Sequence, residues 1–140
     1  MTLLEEIAGL LEELGLGSYD AQGSGGDIFL AAMPPTPDLA VALTRQAGRE
    51  ADSRLAYDEP VVRVTVRGRP KNAVSAESRA QAIYDAVHGL GNRGLPGGTW
   101  LVLSVGTEAG PTYLGRDAND RDEWVVTLRM ELHRPTAHRP

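Results

Sequence analysis

From Glu123 to His133 the chain alternates without a break: Trp124, Val126, Leu128, Met130 and Leu132 take one side, and Val125, Thr127, Arg129, Glu131 and His133 the other. A period of two held over eleven residues specifies a long strand with one buried face, and a strand with one buried face needs a sheet and a covering layer. Two amphipathic helices are available for that layer. Over residues 2–14, Leu3, Ile7, Leu10, Leu11 and Leu14 recur at spacings of three and four, with Glu5, Glu6, Glu12 and Glu13 turned outward. Thr2 and Glu5 form a capping-box pair, and Gly15 or Gly17 supplies the stop. A second helix is predicted from Asn72 or Ser75 to Leu90, with Ala76, Ala80, Ile83, Val87 and Leu90 on one stripe and Gly89 and Gly91 ending it.

Other strands are expected at residues 27–33, 39–45, 61–67 and 100–105, with a short one possible at 111–114 before a polar turn over 115–122. The first two read as a hairpin joined by Pro34-Pro35-Thr36-Pro37-Asp38, whose prolines give no ladder hydrogen bonds and stiffen the tip. Residues 46–60 form a polar excursion. In residues 61–67, Val62, Val64 and Val66 face the core, and Arg63, Thr65 and Arg67 face water. The expected fold class is α+β: a largely antiparallel sheet of about five strands with two helices packed on one face. Its 140 residues suit one domain, residues 1–134, followed by a flexible tail at 135–140.

Composition removes several chemistries. The chain has no cysteine, which excludes disulfides, thiolate metal sites and a cysteine nucleophile. A net charge of −5 argues against general nucleic-acid binding, and no sequence-specific nucleic-acid contact is expected. No apolar run is long enough for a membrane helix and the N-terminus has no signal-peptide character, so the chain reads as soluble and cytoplasmically made, with no membrane partner.

No catalytic or metal site emerges either. His88, His133 and His138 do not share a metal-ligand spacing. The run Asp117-Ala118-Asn119-Asp120-Arg121-Asp122 resembles a calcium loop only superficially, because Arg121, Asp122 and Leu128 stand where an EF-hand needs an oxygen ligand, glycine and glutamate. Gly23-Ser24-Gly25-Gly26 follows a helix and precedes a strand, the reverse of a phosphate-binding order. No cofactor is therefore implied, and the chain is not expected to be an enzyme. Contact-forming residues stand out instead: the stiff Pro34, Pro35, Pro37 loop, and Tyr113, Arg116, Asp117, Arg121 and Trp124 within twelve residues. Tyr, Trp and Arg are enriched at interface centres because they join apolar area to a polar handle. Trp124 also fits a core position.

Gly26-Asp27-Ile28-Phe29-Leu30 through Met33-Pro34-Pro35-Thr36-Pro37-Asp38, and Tyr57-Asp58-Glu59-Pro60 leading into Val64-Thr65-Val66-Arg67-Gly68, resemble the tail terminator proteins of long-tailed bacteriophages, often labelled minor capsid proteins. So do Ile83-Tyr84-Asp85-Ala86, Gly110-Pro111-Thr112-Tyr113-Leu114-Gly115-Arg116-Asp117 and Arg121-Asp122-Glu123-Trp124. The resemblance implies a structural virion subunit that assembles with itself, usually as a hexameric ring, on the head-proximal end of the tail. Its partners would be the tail tube protein and the head–tail connector protein, and its task would be to stop tube growth and offer the head a joining surface. On that basis Tyr113, Arg116, Asp117 and Arg121 are expected at a subunit or ring–tube contact, with Pro34, Pro35 and Pro37 shaping a rigid contact loop. Another head–tail joining protein, or the cap of a headless tail-like particle, is the alternative reading, and a small ligand-binding domain or enzyme comes after it.

Overall fold

The computed structural model describes residues 1–23 and 25–140. Ser24, in the middle of the glycine-rich connector, lies outside the described residues. Helix α1 (Leu3–Glu13) starts at the expected capping box, where Thr2 Oγ1 accepts the Glu5 amide at 3.3 Å and Glu5 Oε1 accepts the Thr2 amide at 2.9 Å. Helix α2 (Ala73–Val87) is capped by Asn72, whose side chain accepts the Val74 and Ser75 amides. It ends earlier than the stripe suggested, at His88, and Gly89 follows with φ of 86°.

The alternating run forms β8 (Arg121–His133), the longest strand and the spine of an eight-stranded sheet. On one side of β8 run β3 (Tyr57–Asp58) and β4 (Val61–Pro70), which hold the same register against it. They are one strand in all but hydrogen bonding, because Pro60 accepts the Met130 amide at 2.9 Å and has no N–H to return. On the other side β6 (Trp100–Gly106) and β7 (Thr112–Arg116) lie end to end. Thr107 extends that ladder by donating to the Thr127 carbonyl, and residues 108–111 then loop out. Beyond β4 come β2 (Ala40–Gln46) and β1 (Ile28–Leu30), and beyond β6 comes β5 (Gly91–Gly94), giving the order β1-β2-β4-β8-β6-β5.

The fold class is α+β, as expected, with a larger sheet. Val62, Val64 and Val66 share a single buried cluster with Val126, Leu128, Met130 and Leu132, and with Ile7, Leu10 and Leu11 of α1 and Ile83 and Val87 of α2. Both helices therefore cover the same face, and among the described residues the opposite face of the sheet carries no helix.

Several expectations need correction. The strands at 27–33 and 39–45 are not a hairpin: β1 and β2 run parallel, Ile28 beside Val41 and Leu30 beside Leu43. Because β1 is only three residues long, the nine residues 31–39 suffice to carry the chain back alongside it, where a longer strand would need a full crossover. Glu6 is buried, 3% exposed, not outward. Its carboxylate accepts the Gly97 amide, the Thr99 amide and the Thr99 hydroxyl, so a burial that would be costly alone is compensated. Arg67 is likewise buried. Separately from these corrections, the segment after Arg134 closes into a Thr136–Arg139 turn, and Arg139 reaches back to Asp58 at 2.6 Å beside Arg134 at 3.1 Å.

Where α2 crosses β6, only glycine fits. A Cβ on Gly106 would stand 2.2 Å from the Tyr84 ring, and the Tyr84 hydroxyl donates to the Glu108 carbonyl at 2.9 Å, so the ring cannot swing away freely. Gly106→Ala is expected to lower stability by about 1–3 kcal/mol in a urea titration, as overpacking does. The Tyr84→Ala background should remove most of that penalty, a coupling a double-mutant cycle would read directly.

Candidate interaction surface

The loop at residues 31–39 and the hairpin made by β7 and β8 meet at one corner of the sheet, and two buried arginines bring them together. Arg67, near the end of β4, donates from Nε to the Asp38 carbonyl at 3.1 Å and from Nη2 to the Pro37 carbonyl at 2.7 Å. Arg121, at the start of β8, donates from Nη1 to the Pro35 carbonyl at 2.7 Å and to Asp38 Oδ1 at 3.1 Å, and from Nε to Asp117 Oδ2 at 2.8 Å. Prolines cannot satisfy neighbours through their own N–H, so the carbonyls of Pro35 and Pro37 become the handles by which the loop is held.

The charges respond to this packing. Burial, then the neighbouring Arg121, pull Arg67 below the usual guanidinium value. Burial acts on Arg121 in the same direction, but its hydrogen bonds to Asp117 and Asp38 outweigh that and raise it. For Asp117, burial would raise the carboxyl; the amides of Arg121 and Asn119 and the Arg121 guanidinium overcome this and hold it low.

A second knot lies one residue along. Asp122, 3% exposed, accepts from the Tyr113 hydroxyl at 2.9 Å and from Arg116 Nε at 3.0 Å and Nη2 at 3.3 Å. Arg116 first, and then Tyr113, depress the Asp122 carboxyl below the ordinary carboxylate range. The Tyr113 ring stands edge-on to Trp124 with centroids 5.4 Å apart. These contacts hold the hairpin rigid while leaving Tyr113 and Leu114 about half exposed, at 52% and 50%.

The sequence-selected residues therefore divide. Pro35, Pro37, Tyr113 and Arg116 stand at the surface; Pro34 and Asp117 are half-buried; Arg121 is 5% exposed and ties loop to hairpin within the subunit. Sequence reasoning missed Arg67, Asp38 and Asp122 as members of the same corner. The alternation that assigned Arg67 to the wet face was right about the face, but no local pattern announces that the proline loop returns to cover it. Trp124 packs against the core from a partly buried position.

Among the described residues no group of three or more His, Asp and Glu side chains is placed to hold a metal. His88 is occupied structurally: its Nδ1 accepts the Gly106 amide at 2.9 Å, and its ring stacks on Tyr84 at 5.0 Å. Among the described residues no helix is long and apolar enough to cross a membrane.

A scan against protein-family models matches residues 10–134 to a family described as bacteriophage tail terminator protein. A search of curated proteins finds no match.

Two outcomes test the corner. Arg121→Ala should speed hydrogen exchange across residues 31–39 by about tenfold or more, since bonds to a charged donor are lost, with α1 amides unchanged. The depressed carboxyls of Asp117 and Asp122 stabilise the folded state fully above the unfolded carboxylate value of about 3.9, and that contribution fades as pH falls through their lower folded values. Denaturant titrations between pH 6 and pH 2.5 should show this loss, and Arg116→Gln should shrink it.

Proposed function

Because this chain belongs to the bacteriophage tail terminator family, we propose that it closes into a ring, a hexamer in the simplest case, on the head-proximal end of the tail tube, stops tube polymerisation there and gives the head connector its joining surface. The single observation that carries the reading is the family match over residues 10–134. The corner geometry supports it in physical terms. A terminator must bind the last tube ring better than another tube subunit does, which rewards a contact surface already held in its bound shape, since ordering a loop on binding costs affinity.

The proline loop and the β7–β8 hairpin have that property: their backbone carbonyls and carboxylates are held by Arg67, Arg116 and Arg121, and the side chains left outside include Pro35, Pro37, Tyr113 and Leu114. Such a protein works by shape and contact and catalyses nothing. A closed ring is a head-to-tail assembly whose two contact patches differ, so this corner would serve as one of them.

Electron microscopy of particles made with the gene stopped early tests the reading. Over-long, headless tubes that return to uniform length on restoration are expected. Tubes of normal length without heads would instead assign the chain to head joining alone, and normal infectious particles would refute a tail role.

A further inference from the structure

The helix-free face of the sheet holds an unexplained charge. Arg63 sits mid-strand in β4, flanked across the ladders by Thr44 and Thr127, neither of which is acidic. Its Nε is buried and has no hydrogen-bond partner. Among the described residues, Arg139 also has an unpaired buried Nε, but its other two nitrogens reach Asp58, and on the face of Arg63 itself Arg129 pairs with Glu59 and Glu131 at 3.3 Å. A buried guanidinium nitrogen without an acceptor is costly, and native structures seldom leave one.

Arg63 lines a groove of about 400 Å³ on that face. Val61 and Val125 give it apolar lining, and so do Tyr113 and Leu114, the exposed large apolar side chains of β7. The one carboxylate on its rim, Glu108, accepts the Thr112 hydroxyl at 3.2 Å and lies beyond ion-pair distance of Arg63. The groove is thus shaped for a segment that brings one carboxylate and one aliphatic side chain.

The chain carries such a segment on its own surface. Residues 47–55 are exposed throughout; they include Glu50, which makes no described bond, and Leu55, 64% exposed. Asp52 is spoken for, since its carboxylate accepts the Arg54 and Leu55 amides and so fixes the turn that presents Leu55. We infer that the Arg63 groove receives the 47–55 segment of a second copy of this chain, with Glu50 pairing with Arg63 and Leu55 seated against Val61, Val125 and Leu114. Groove and segment adjoin, Ala47 belonging to both, but the groups that pair across the contact, Arg63 and Glu50, differ, so the contact can run head-to-tail from copy to copy. The inference rests on the ring reading for its biological use, but the contact is defined by the charge complementarity alone.

Sedimentation equilibrium of the purified full chain at low and moderate salt reads it. The wild type is expected to self-associate, more weakly as salt rises. Arg63→Glu and Glu50→Arg should each weaken association at least tenfold, and the double variant should regain most of it. Arg63→Met fills the same space without the charge; it should leave the melting temperature unchanged or higher and still weaken association, which separates a contact role from a folding role. A wild type that stays monomeric at the highest concentration, or association indifferent to Arg63 and Glu50, overturns the inference. Tail lengths measured with the same variants separate the two proposals: over-long tubes without the protein alongside an indifferent Arg63 would leave the terminator role standing and remove this interface. Uniform tubes without the protein, with association still dependent on Arg63, would do the reverse.

Discussion

Every other element takes its place from β8, because that strand is hydrogen-bonded along both edges for nearly its whole length. β4 and β3 occupy one edge, from Arg121 to His133; β7 and β6 occupy the other. A strand paired on both sides cannot slip by one residue without turning Val126, Leu128, Met130 and Leu132 from the core to water, so register is enforced twice over. That constraint also places the candidate surface. Reading across the ladders, Ile28, Val41, Val66, Trp124 and Tyr113 fall in one row, which puts β1 and the proline loop after it at one end of the row and the β7 edge at the other. Arg67 and Arg121 lie toward the end of the same two strands, near enough to gather the loop over the sheet's corner.

What could be read from the sequence was what local physics decides. The alternation of residues 123–133, the Thr2 capping box and the alanine-rich stripe of α2 each encode their element in their own residues, and each appears where expected. The direction of β1 is not encoded that way, since two short strands around a proline loop look the same whether the chain turns back or returns alongside. Its answer lies in β1's brevity and in Arg67 and Arg121 holding the loop. β5 escaped notice because Gly91-Asn92-Arg93-Gly94 has no apolar alternation; it is a strand only because β6 offers an unpaired edge. Even its glycine is demanded by the partner, as a Cβ on Gly91 would lie 2.2 Å from the Val102 carbonyl.

The site was legible in part for the same reason. Tyr113 and Arg116 stood out by residue type and lie at the surface. Arg121 stood out too, but its burial depends on Asp38 and Pro35, more than eighty residues away in sequence. Buried ion pairs add little net stability over well-packed apolar residues, so a corner built from Arg67, Arg121, Asp38 and Asp117 is better understood as fixing one geometry than as strengthening the fold. The core of valines, leucines and one methionine under the helices already supplies the burial.

The two ends of the shared row are treated differently, and the difference bears on how copies could add to one another. At the β1 end, Ser18 and Tyr19 run alongside: the Ser18 carbonyl accepts the Asp27 and Ile28 amides at 2.8 and 3.0 Å, and the Leu30 carbonyl is taken by Ala32. That edge is largely sealed. β7 has a partner on one side only, so the far side of its ladder is unpaired, flanked by half-exposed Tyr113 and Leu114. Exposed edges invite indefinite strand addition, and proteins that assemble to a fixed size must block all but the intended contact. With β1 closed, the edges left for strand addition are β7 and β5, which pairs with β6 alone, whereas side-chain contacts across the helix-free face, where the Nε of Arg63 has no hydrogen-bond partner, would use neither.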